Sequence, residues 1–247
     1  MKPEYRARQE RVDRWYAPAR FGLFYTWGMM TGSEGSSTGN EHPLRYETVE
    51  AFEAAANDTR LIAANMVEEV KKVGARYLIY TPYHSGGRYC VNYPTSVPGY
   101  RWVTTKDYLG AVVEECHREG VHLIVYLAPD CNHAWLSDGP HLTEDMRDLS
   151  VVYAAVTRMI DEIIDRHGDK IGGFWFDGNY TEEMGELIHR RLPNGVVIRN
   201  NESGWGLNHP NVDFGTTEFL SGPAEPVYSR PTGLVKAHPQ YLMMNPI

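Results

Sequence analysis

Two acidic residues, Asp177 and Glu218, each close a strand-like segment of the sequence. Asp177 ends the aromatic segment GGFWFD, and Glu218 ends VDFGTTE. Hydrolysis of a glycosidic bond requires two carboxyl groups of this kind, because one must be ionised to attack or to orient water while the other donates a proton to the leaving oxygen. Two simpler interpretations stay open: an Asp-Gly turn at Asp177 and a solvated carboxylate at Glu218.

Aromatic side chains are the second feature that suits a carbohydrate ligand. The chain has six Trp and 16 Tyr, and several of them lie in loops or near predicted strand ends. Aromatic rings stack on the C–H faces of sugars, and polar groups beside them fix the orientation of a ligand. The residues that we expect to contact substrate are Thr26, Trp27, Tyr83, His84, Tyr126, Trp175 and Glu202. Packing beneath loops is the competing interpretation for each aromatic residue, and a structural role competes for His84.

Strand-like and helix-like segments alternate along most of the chain. Continuous apolar runs predict strands at 21–26, 76–81, 121–128, 173–177, 196–200, 212–217 and 234–237. Apolar residues at helical spacing predict helices at 59–73, 106–119, 143–167 and 182–192. Repeated strand–helix units of this kind predict a parallel sheet that is covered by helices.

The position of the polar residues favours a barrel over a doubly wound sheet. No G-x-G-x-x-G motif or phosphate-binding loop follows any predicted strand. Barrel enzymes build their active sites at the carboxyl ends of the strands, and polar or ionisable residues follow the predicted strands here: His84, Asp130, His133, Asp177, Asn200, Glu202, Glu218 and His238. We therefore expect an α/β fold, a (β/α)8-like TIM barrel that is irregular in its C-terminal half and forms a single domain over residues 1–247.

The composition excludes several functional classes. The 247 residues carry 24 Lys and Arg against 32 Asp and Glu, a net charge of -8, which disfavours binding to nucleic acid. No apolar run approaches the ~18 residues that a membrane span needs. Three cysteines without C-x-x-C spacing, and an N-terminus without an apolar signal segment, favour a cytoplasmic protein. We expect no cofactor and no metal, and a small carbohydrate or glycoside as the ligand; homo-oligomerisation stays open.

Four segments, in order, resemble the α-L-fucosidases of glycoside hydrolase family 29. They are WYAPARFGLFYTWG, GARYLIYTPYHSGG, GGFWFDG and VDFGTTEF. The resemblance implies a barrel fold and a retaining exo-glycoside hydrolase, with Asp177 as the nucleophile and Glu218 as the acid/base residue. We expect no counterpart of the C-terminal β-sandwich of that family within residues 1–247.

The sequence departs from the family pattern at positions that line the fucose subsite in the family. Thr26 and Tyr83 stand where the family has histidines, and Glu202 lies at the position of an arginine. A site built for one pattern of hydroxyl groups rejects another strongly. The resemblance therefore implies the catalytic pair but leaves the sugar open, so the substrate need not be a fucoside. Glu202 also competes with Glu218 as the proton donor.

Two other functions stay open. A metal-dependent hydrolase could draw ligands from His84, Asp130, His133, Asp177, Glu218 and His238, but no H-x-H ends the first strand and no H-x-x-x-H spacing occurs. The second alternative is a fucosidase-like barrel that has lost hydrolysis, since a fold does not fix a function. Such a barrel would bind a sugar-like ligand or catalyse a non-hydrolytic reaction.

Overall fold

The fold is a curled sheet of six parallel strands with helices on its outer face. The computed structural model describes residues 3–29, 46–84, 90–129, 143–177, 180–200 and 211–216, with side chains from residue 6 onward. The strands lie side by side in chain order: β1 Gly22–Tyr25, β2 Tyr77–Tyr80, β3 His122–Leu127, β4 Gly173–Phe176, β5 Val196–Asn200 and β6 Phe214–Thr216. The α-helices are α1 Pro3–Arg11, α2 Ala17–Ala19, α3 Val49–Ala55, α4 Thr59–Lys72, α5 Tyr108–Glu119, α6 Leu149–His167 and α7 Glu182–Arg191.

Contacts between rings on distant strands show how strongly the sheet curls. β1 and β4 are three strands apart, which would separate them by roughly 14 Å in a flat sheet. The rings of Phe24 on β1 and Trp175 on β4 nevertheless lie 4.9 Å apart, edge to face. The described strands therefore form a half-barrel. Closure into eight strands stays a prediction, because residues 217–247, with the predicted strand 234–237, lie outside the described residues.

Alternation along each strand divides the core into two layers. The concave face of the sheet packs residues on β1 to β5 against one another, among them Phe24, Tyr77, Ile79, Ile124, Tyr126, Trp175, Val196 and Ile198. The intervening residues, such as Leu78, Val125 and Phe176, face outward and pack against the apolar sides of α4 to α7. Burying one such side chain stabilises the fold by about 1.5–3 kcal/mol relative to leaving it exposed.

Two glycines let the strands and rings on the concave face approach closely. A Cβ at Gly22 would lie 2.1 Å from the ring of Tyr77, so a larger residue would displace that ring. Gly173 has a φ of +152°, and a Cβ there would lie 2.0 Å from the carbonyl oxygen of Val196. Both positions thus require glycine for the strands to curl around the aromatic interior.

The structure confirms the predicted strands and helices that fall within the described residues, with one exception. The predicted helix 143–167 is a 3-10 turn, Glu144–Arg147, followed by α6. The break occurs because the Asp148 side chain accepts a hydrogen bond from the Ser150 N–H and so caps the start of α6. None of the described helices is long and apolar enough to cross a membrane.

The helices before β1, together with α3, are additional to the predicted elements. The sequence of α1, PEYRARQER, has no apolar periodicity that would identify a helix. This segment nevertheless closes the amino end of the half-barrel, because the π-helical turn Val12–Tyr16 that follows α1 carries buried aromatic rings. Trp15 stacks on His122 at the start of β3, with 4.4 Å between ring centroids, and the Tyr16 ring lies 4.4 Å from that of Phe214 on β6.

A buried carboxylate holds this N-terminal segment to the sheet. Asp213 directly precedes β6, and its side chain is fully buried. Arg11 donates to Oδ1 through Nε at 2.9 Å and forms an ion pair through Nη2 at 2.8 Å. The other oxygen accepts from the Val197 N–H at 2.8 Å and contacts His189 Nε2 at 3.1 Å. Asp213 therefore joins the N-terminal segment, β5 and α7 at the amino end of the sheet.

We predict that Asp213→Asn lowers the free energy of unfolding by about 3–5 kcal/mol, because the substitution leaves the largely enclosed Arg11 guanidinium, with a side-chain exposure of 14%, without its counter-charge. Urea denaturation followed by circular dichroism measures the change. Glu119→Gln is the matched control, since the Lys71–Glu119 pair is partly exposed to solvent and its loss should cost less than about 1 kcal/mol. Equal losses in the two variants would contradict the assignment of Asp213 as the residue that holds the N-terminal segment.

Candidate active site

Asp177 lies at the carboxyl end of β4, on the concave side of the sheet. Its backbone N–H donates to the Leu127 carbonyl at 2.9 Å, which extends the β3–β4 pairing by one residue. Side chains two residues apart on a strand share a face, so Asp177 follows Trp175 onto the concave face. Its side chain is largely enclosed, with a residue exposure of 7%. Asp177 therefore lies at the mouth of the half-barrel, at the end of a strand, as the sequence predicts.

Both carboxylate oxygens of Asp177 accept hydrogen bonds from neighbouring strands. The Tyr126 hydroxyl on β3 donates to Oδ2 at 2.5 Å, and the Asn200 Nδ2 on β5 donates to Oδ1 at 2.9 Å. Asn200 in turn accepts a hydrogen bond at Oδ1 from the Thr216 hydroxyl on β6, also at 2.9 Å. An ionised carboxylate only accepts hydrogen bonds, so this donor set fits Asp177 in its charged form.

His84 adds an imidazole to this group from the loop that follows β2. Its ring stacks on the Tyr126 ring with 5.6 Å between centroids and 14° between planes. Burial lowers the pKa of His84 from its ordinary value of 6.5, and the negative charge of Asp177 opposes that effect. A neutral imidazole has one donor and one acceptor nitrogen. The contact of His84 with a substrate hydroxyl beside the carboxylate stays a prediction.

Trp175 lies on the concave face with Asp177 and is enclosed by protein. It has an exposure of 2%, and its ring makes edge-to-face contacts with Phe24, as described above, and with Tyr126 at 5.7 Å. These three rings form the floor below the hydrogen-bonded residues Asp177, Asn200 and Thr216, which we call the carboxylate row. The packing gives Trp175 a supporting position, and its predicted contact with a sugar would need a ligand that reaches this floor.

Three other predicted substrate-binding residues lie apart from the hydrogen-bond set of Asp177. The Tyr83 ring packs in the outer core against Tyr100 at 4.9 Å, with an exposure of 2%. The Trp27 ring packs on Phe52 and Tyr108 at about 5 Å. Thr26 follows β1 and is partly buried. The packing thus favours a structural role for the Tyr83 and Trp27 rings, and the sugar contacts of all three residues stay predictions.

Several predicted site residues lie outside the described residues. They are the proposed acid/base Glu218, its competitor Glu202, and Asp130, His133 and His238 of the metal-hydrolase alternative. Among the described residues, no cluster of three or more His, Cys, Asp or Glu side chains is arranged to hold a metal ion.

The sequence predicts Asn200 only as a polar residue at a strand end, and Thr216 is not among the predicted site residues. Both face the same side as Asp177, because the register pairs Trp175 with Ile198 and Asn200 with Thr216. The signal that could identify them is alternation: each lies two residues beyond an inward-facing apolar residue, Ile198 on β5 and Phe214 on β6.

Comparison with known proteins places the chain in a family. The family model for α-L-fucosidases matches residues 2–220. The chain belongs to the α-L-fucosidase family. This membership confirms the resemblance that the four sequence segments indicate, and it makes the chain a member of a glycoside hydrolase family. A search of curated protein sequences found no significant match.

Solved α-L-fucosidase structures share the fold at low sequence identity. Isoenzyme 1 from Paenibacillus thiaminolyticus superposes with a TM-score of 0.58 and 18% identity, over 88% of this chain and 57% of its own. The α-L-fucosidase AlfC from Lactobacillus casei, solved with its α-L-fucose product, gives 0.53 and 19%, over 76% and 70%. A Bacteroides thetaiotaomicron α-L-fucosidase, solved as a trapped covalent intermediate, gives 0.51 and 15%, over 80% and 49%. At these identities the family members support the fold alone.

We predict that the His84 imidazole titrates below pH 6.5 and that Asp177→Asn lowers its pKa further, because the substitution removes the negative charge that favours the imidazolium form. A pH titration of the histidine ring signals by NMR measures both values, with His84 assigned from the signal that is lost in His84→Gln.

His122 provides the control in the same spectra. Burial also lowers its pKa, but it lies at the amino end of β3 against Trp15, far from the carboxylate. Its midpoint should not move in Asp177→Asn. A rise of the His84 midpoint in that variant, or an equal shift at His122, would contradict the electrostatic contact between His84 and Asp177.

Proposed function

We propose that the protein is a retaining exo-glycoside hydrolase in which Asp177 is the nucleophile and Glu218 is the acid/base residue. The observation that carries the proposal is the enclosed Asp177 carboxylate, which two hydrogen-bond donors hold at the mouth of the half-barrel. Active sites of barrel enzymes lie at this end of the strands. Family membership supports the same reading, since the matched region includes both acidic residues.

The Asp177 environment suits a nucleophile that must keep one orientation. Each carboxylate oxygen has two acceptor positions, and the bonds from Tyr126 and Asn200 each occupy one of them and set the orientation of the carboxylate. The donors come from β3 and β5, on either side of β4, and both strands pair with β4 along its whole length. A carboxylate fixed from two sides loses little freedom when it attacks, which lowers the entropic part of the barrier.

The proposed reaction has two steps. An Asp177 oxygen attacks the anomeric carbon while the bond to the leaving oxygen breaks, and Glu218 transfers its proton to that oxygen, so that a glycosyl ester forms. The Glu218 carboxylate then takes a proton from water, whose oxygen attacks the anomeric carbon and releases Asp177. Two inversions give net retention, for which the two carboxyl groups should lie ~5–5.5 Å apart.

Sequence spacing supports Glu218 as the second acid. Glu218 lies two positions after Thr216, which is the last residue of β6 and a member of the carboxylate row. Residues two apart in an extended chain share a face, so this spacing favours Glu218 over its neighbours for a role beside Asp177. Glu202, two positions after Asn200 of the same row, is the competitor.

The substrate that we propose is a small glycoside whose terminal sugar enters the mouth of the half-barrel. Enclosure of Asp177 above the floor of Phe24, Tyr126 and Trp175 suits one sugar ring that enters end-on. The AlfC structure with α-L-fucose makes a fucoside the first substrate to test. Thr26 and Tyr83 replace histidines of the family pattern, so the hydroxyl pattern of the preferred sugar need not be that of fucose.

We predict that the native protein hydrolyses at least one member of a panel of 4-nitrophenyl glycosides that begins with the α-L-fucopyranoside. Asp177→Ala should lower kcat/KM for that substrate by at least roughly 10⁴-fold, as expected when the nucleophile of a covalent mechanism is removed. Release of 4-nitrophenol measures the rate, and NMR of the first sugar product reports whether the anomeric configuration is retained.

Asp169→Ala is the control for this loss, because Asp169 is an exposed acid in the 3-10 turn after α6. It should retain native activity. Turnover that survives in Asp177→Ala would remove Asp177 from the chemistry. A native protein that binds a sugar of the panel without hydrolysing any glycoside would instead support the alternative, a barrel that binds a sugar-like ligand.

We further predict that Glu218→Gln slows hydrolysis strongly for poor leaving groups and little for a 2,4-dinitrophenyl glycoside, because a good leaving group departs without a proton. The slope of log kcat/KM against leaving-group pKa across an aryl glycoside series measures this effect. Glu202→Gln is the matched variant. A steeper slope in Glu202→Gln, with an unchanged slope in Glu218→Gln, would reassign the proton donor.

A further inference from the structure

A row of three polar side chains crosses the carboxyl ends of β4, β5 and β6. The register aligns Asp177, Asn200 and Thr216 in neighbouring strands, and hydrogen bonds of 2.9 Å join each to the next. All three are enclosed, with exposures of 7%, 3% and 3%. Among the described residues, Thr216 is thus linked to the carboxylate through Asn200, and it lies two strands away from β4.

The Asn200 side chain has two chemically different ends, and this difference gives Thr216 a role. Its Oδ1 can only accept a hydrogen bond, whereas its Nδ2 can only donate. Nδ2 faces the Asp177 carboxylate, and Oδ1 faces the Thr216 hydroxyl. Rotation of the amide by half a turn would set two acceptor oxygens against each other at the carboxylate, where they would repel.

We infer that Thr216 is a positioning residue for Asp177, because its hydroxyl fixes which end of the Asn200 amide faces the carboxylate. The inference rests on the proposed function, since it assigns a role in attack at the anomeric carbon. Burial of Asn200 and Thr216 supports this role of the threonine hydroxyl. Little solvent reaches Asn200 or Thr216, so water is poorly placed to replace the threonine hydroxyl as a donor to Oδ1.

The two oxygens of the Asp177 carboxylate are held in different ways, and this difference has a consequence for catalysis. Tyr126 donates directly from β3, and the Asn200 amide is held in turn by Thr216 from β6. Without the threonine hydroxyl, Asn200 Oδ1 loses its donor from β6, so the amide is held less firmly and the position of the carboxylate on the Asn200 side becomes less well defined. Misplacement of a reacting group by about 1 Å costs up to roughly 100-fold in rate.

The test compares Thr216→Val, which keeps the shape and removes the hydroxyl, with Thr216→Ser, which keeps the hydroxyl. For the 4-nitrophenyl glycoside that the native protein hydrolyses best, Thr216→Val should lower kcat roughly 10- to 100-fold with little change in KM. Thr216→Ser should restore most of the rate. Thr104→Val is the matched control, because Thr104 is equally buried but donates to the Lys106 carbonyl in the loop before α5.

A second measurement does not depend on turnover. In spectra of ¹⁵N-labelled protein, the Asn200 side-chain NH₂ signals are assigned from those that disappear in Asn200→Ala. A hydrogen bond to a carboxylate shifts one of these protons downfield, and Asp177→Asn should remove part of that shift. Thr216→Val should do the same, whereas Thr104→Val should leave the signals at their native positions.

The outcomes separate this inference from the proposed function. A loss of kcat in Thr216→Val, rescued in Thr216→Ser and accompanied by a change in the Asn200 signals, supports it. Native kcat in Thr216→Val, or an equal loss in Thr104→Val, overturns it while the hydrolase assignment stands. If the native protein hydrolyses no glycoside, the proposed function fails, and unchanged Asn200 signals in Thr216→Val would then overturn the hydrogen-bonded row as well.

Discussion

Asp177 is an enclosed carboxylate, and a charge in such a position is tolerated only when hydrogen bonds replace the water that it has lost. Tyr126 and Asn200 supply those bonds from the strands on either side of β4. The register of the parallel sheet is therefore the constraint on which the site depends. A slip of one residue in β5 would turn Asn200 to the convex face and would leave one carboxylate oxygen without its donor.

The two ends of the half-barrel differ in composition: the carboxyl end carries the candidate active site, and the amino end carries buried contacts that stabilise the fold. At the carboxyl end, polar side chains form the carboxylate row above a floor of aromatic rings. At the amino end, Trp15 and Tyr16 close the interior, and Asp213 ties the N-terminal segment to β5 and α7. This division lets polar residues vary around the carboxylate while buried contacts at the opposite end maintain the fold, as is general for barrels.

Much of the fold and part of the candidate site could be predicted from the sequence. Apolar runs and apolar residues at helical spacing are local signals, so most elements and the position of Asp177 at a strand end follow from them, whereas the helix start at Asp148 is not predicted by them. The row through Asn200 and Thr216 depends on which residues of separate strands are paired, and one sequence does not state that pairing. Tyr83 follows the end of β2, where strand alternation no longer fixes the direction of a side chain, so its packing on Tyr100 in the outer core could not be predicted from the pattern.

The Arg11–Asp213 pair joins residues that are 202 positions apart in the chain. During synthesis on the ribosome, the N-terminal segment is made first, but its partner emerges only after five of the six described strands. Contacts of such long sequence separation form late, because the entropy lost in closing the intervening loop is not offset until the rest of the sheet is in place. Until then the aromatic interior stays open at its amino end, and the nascent half-barrel passes through a stage in which Trp15 and Tyr16 have yet to cover it. The helices that precede β1 are therefore made before the sheet but secured only after five of its six described strands.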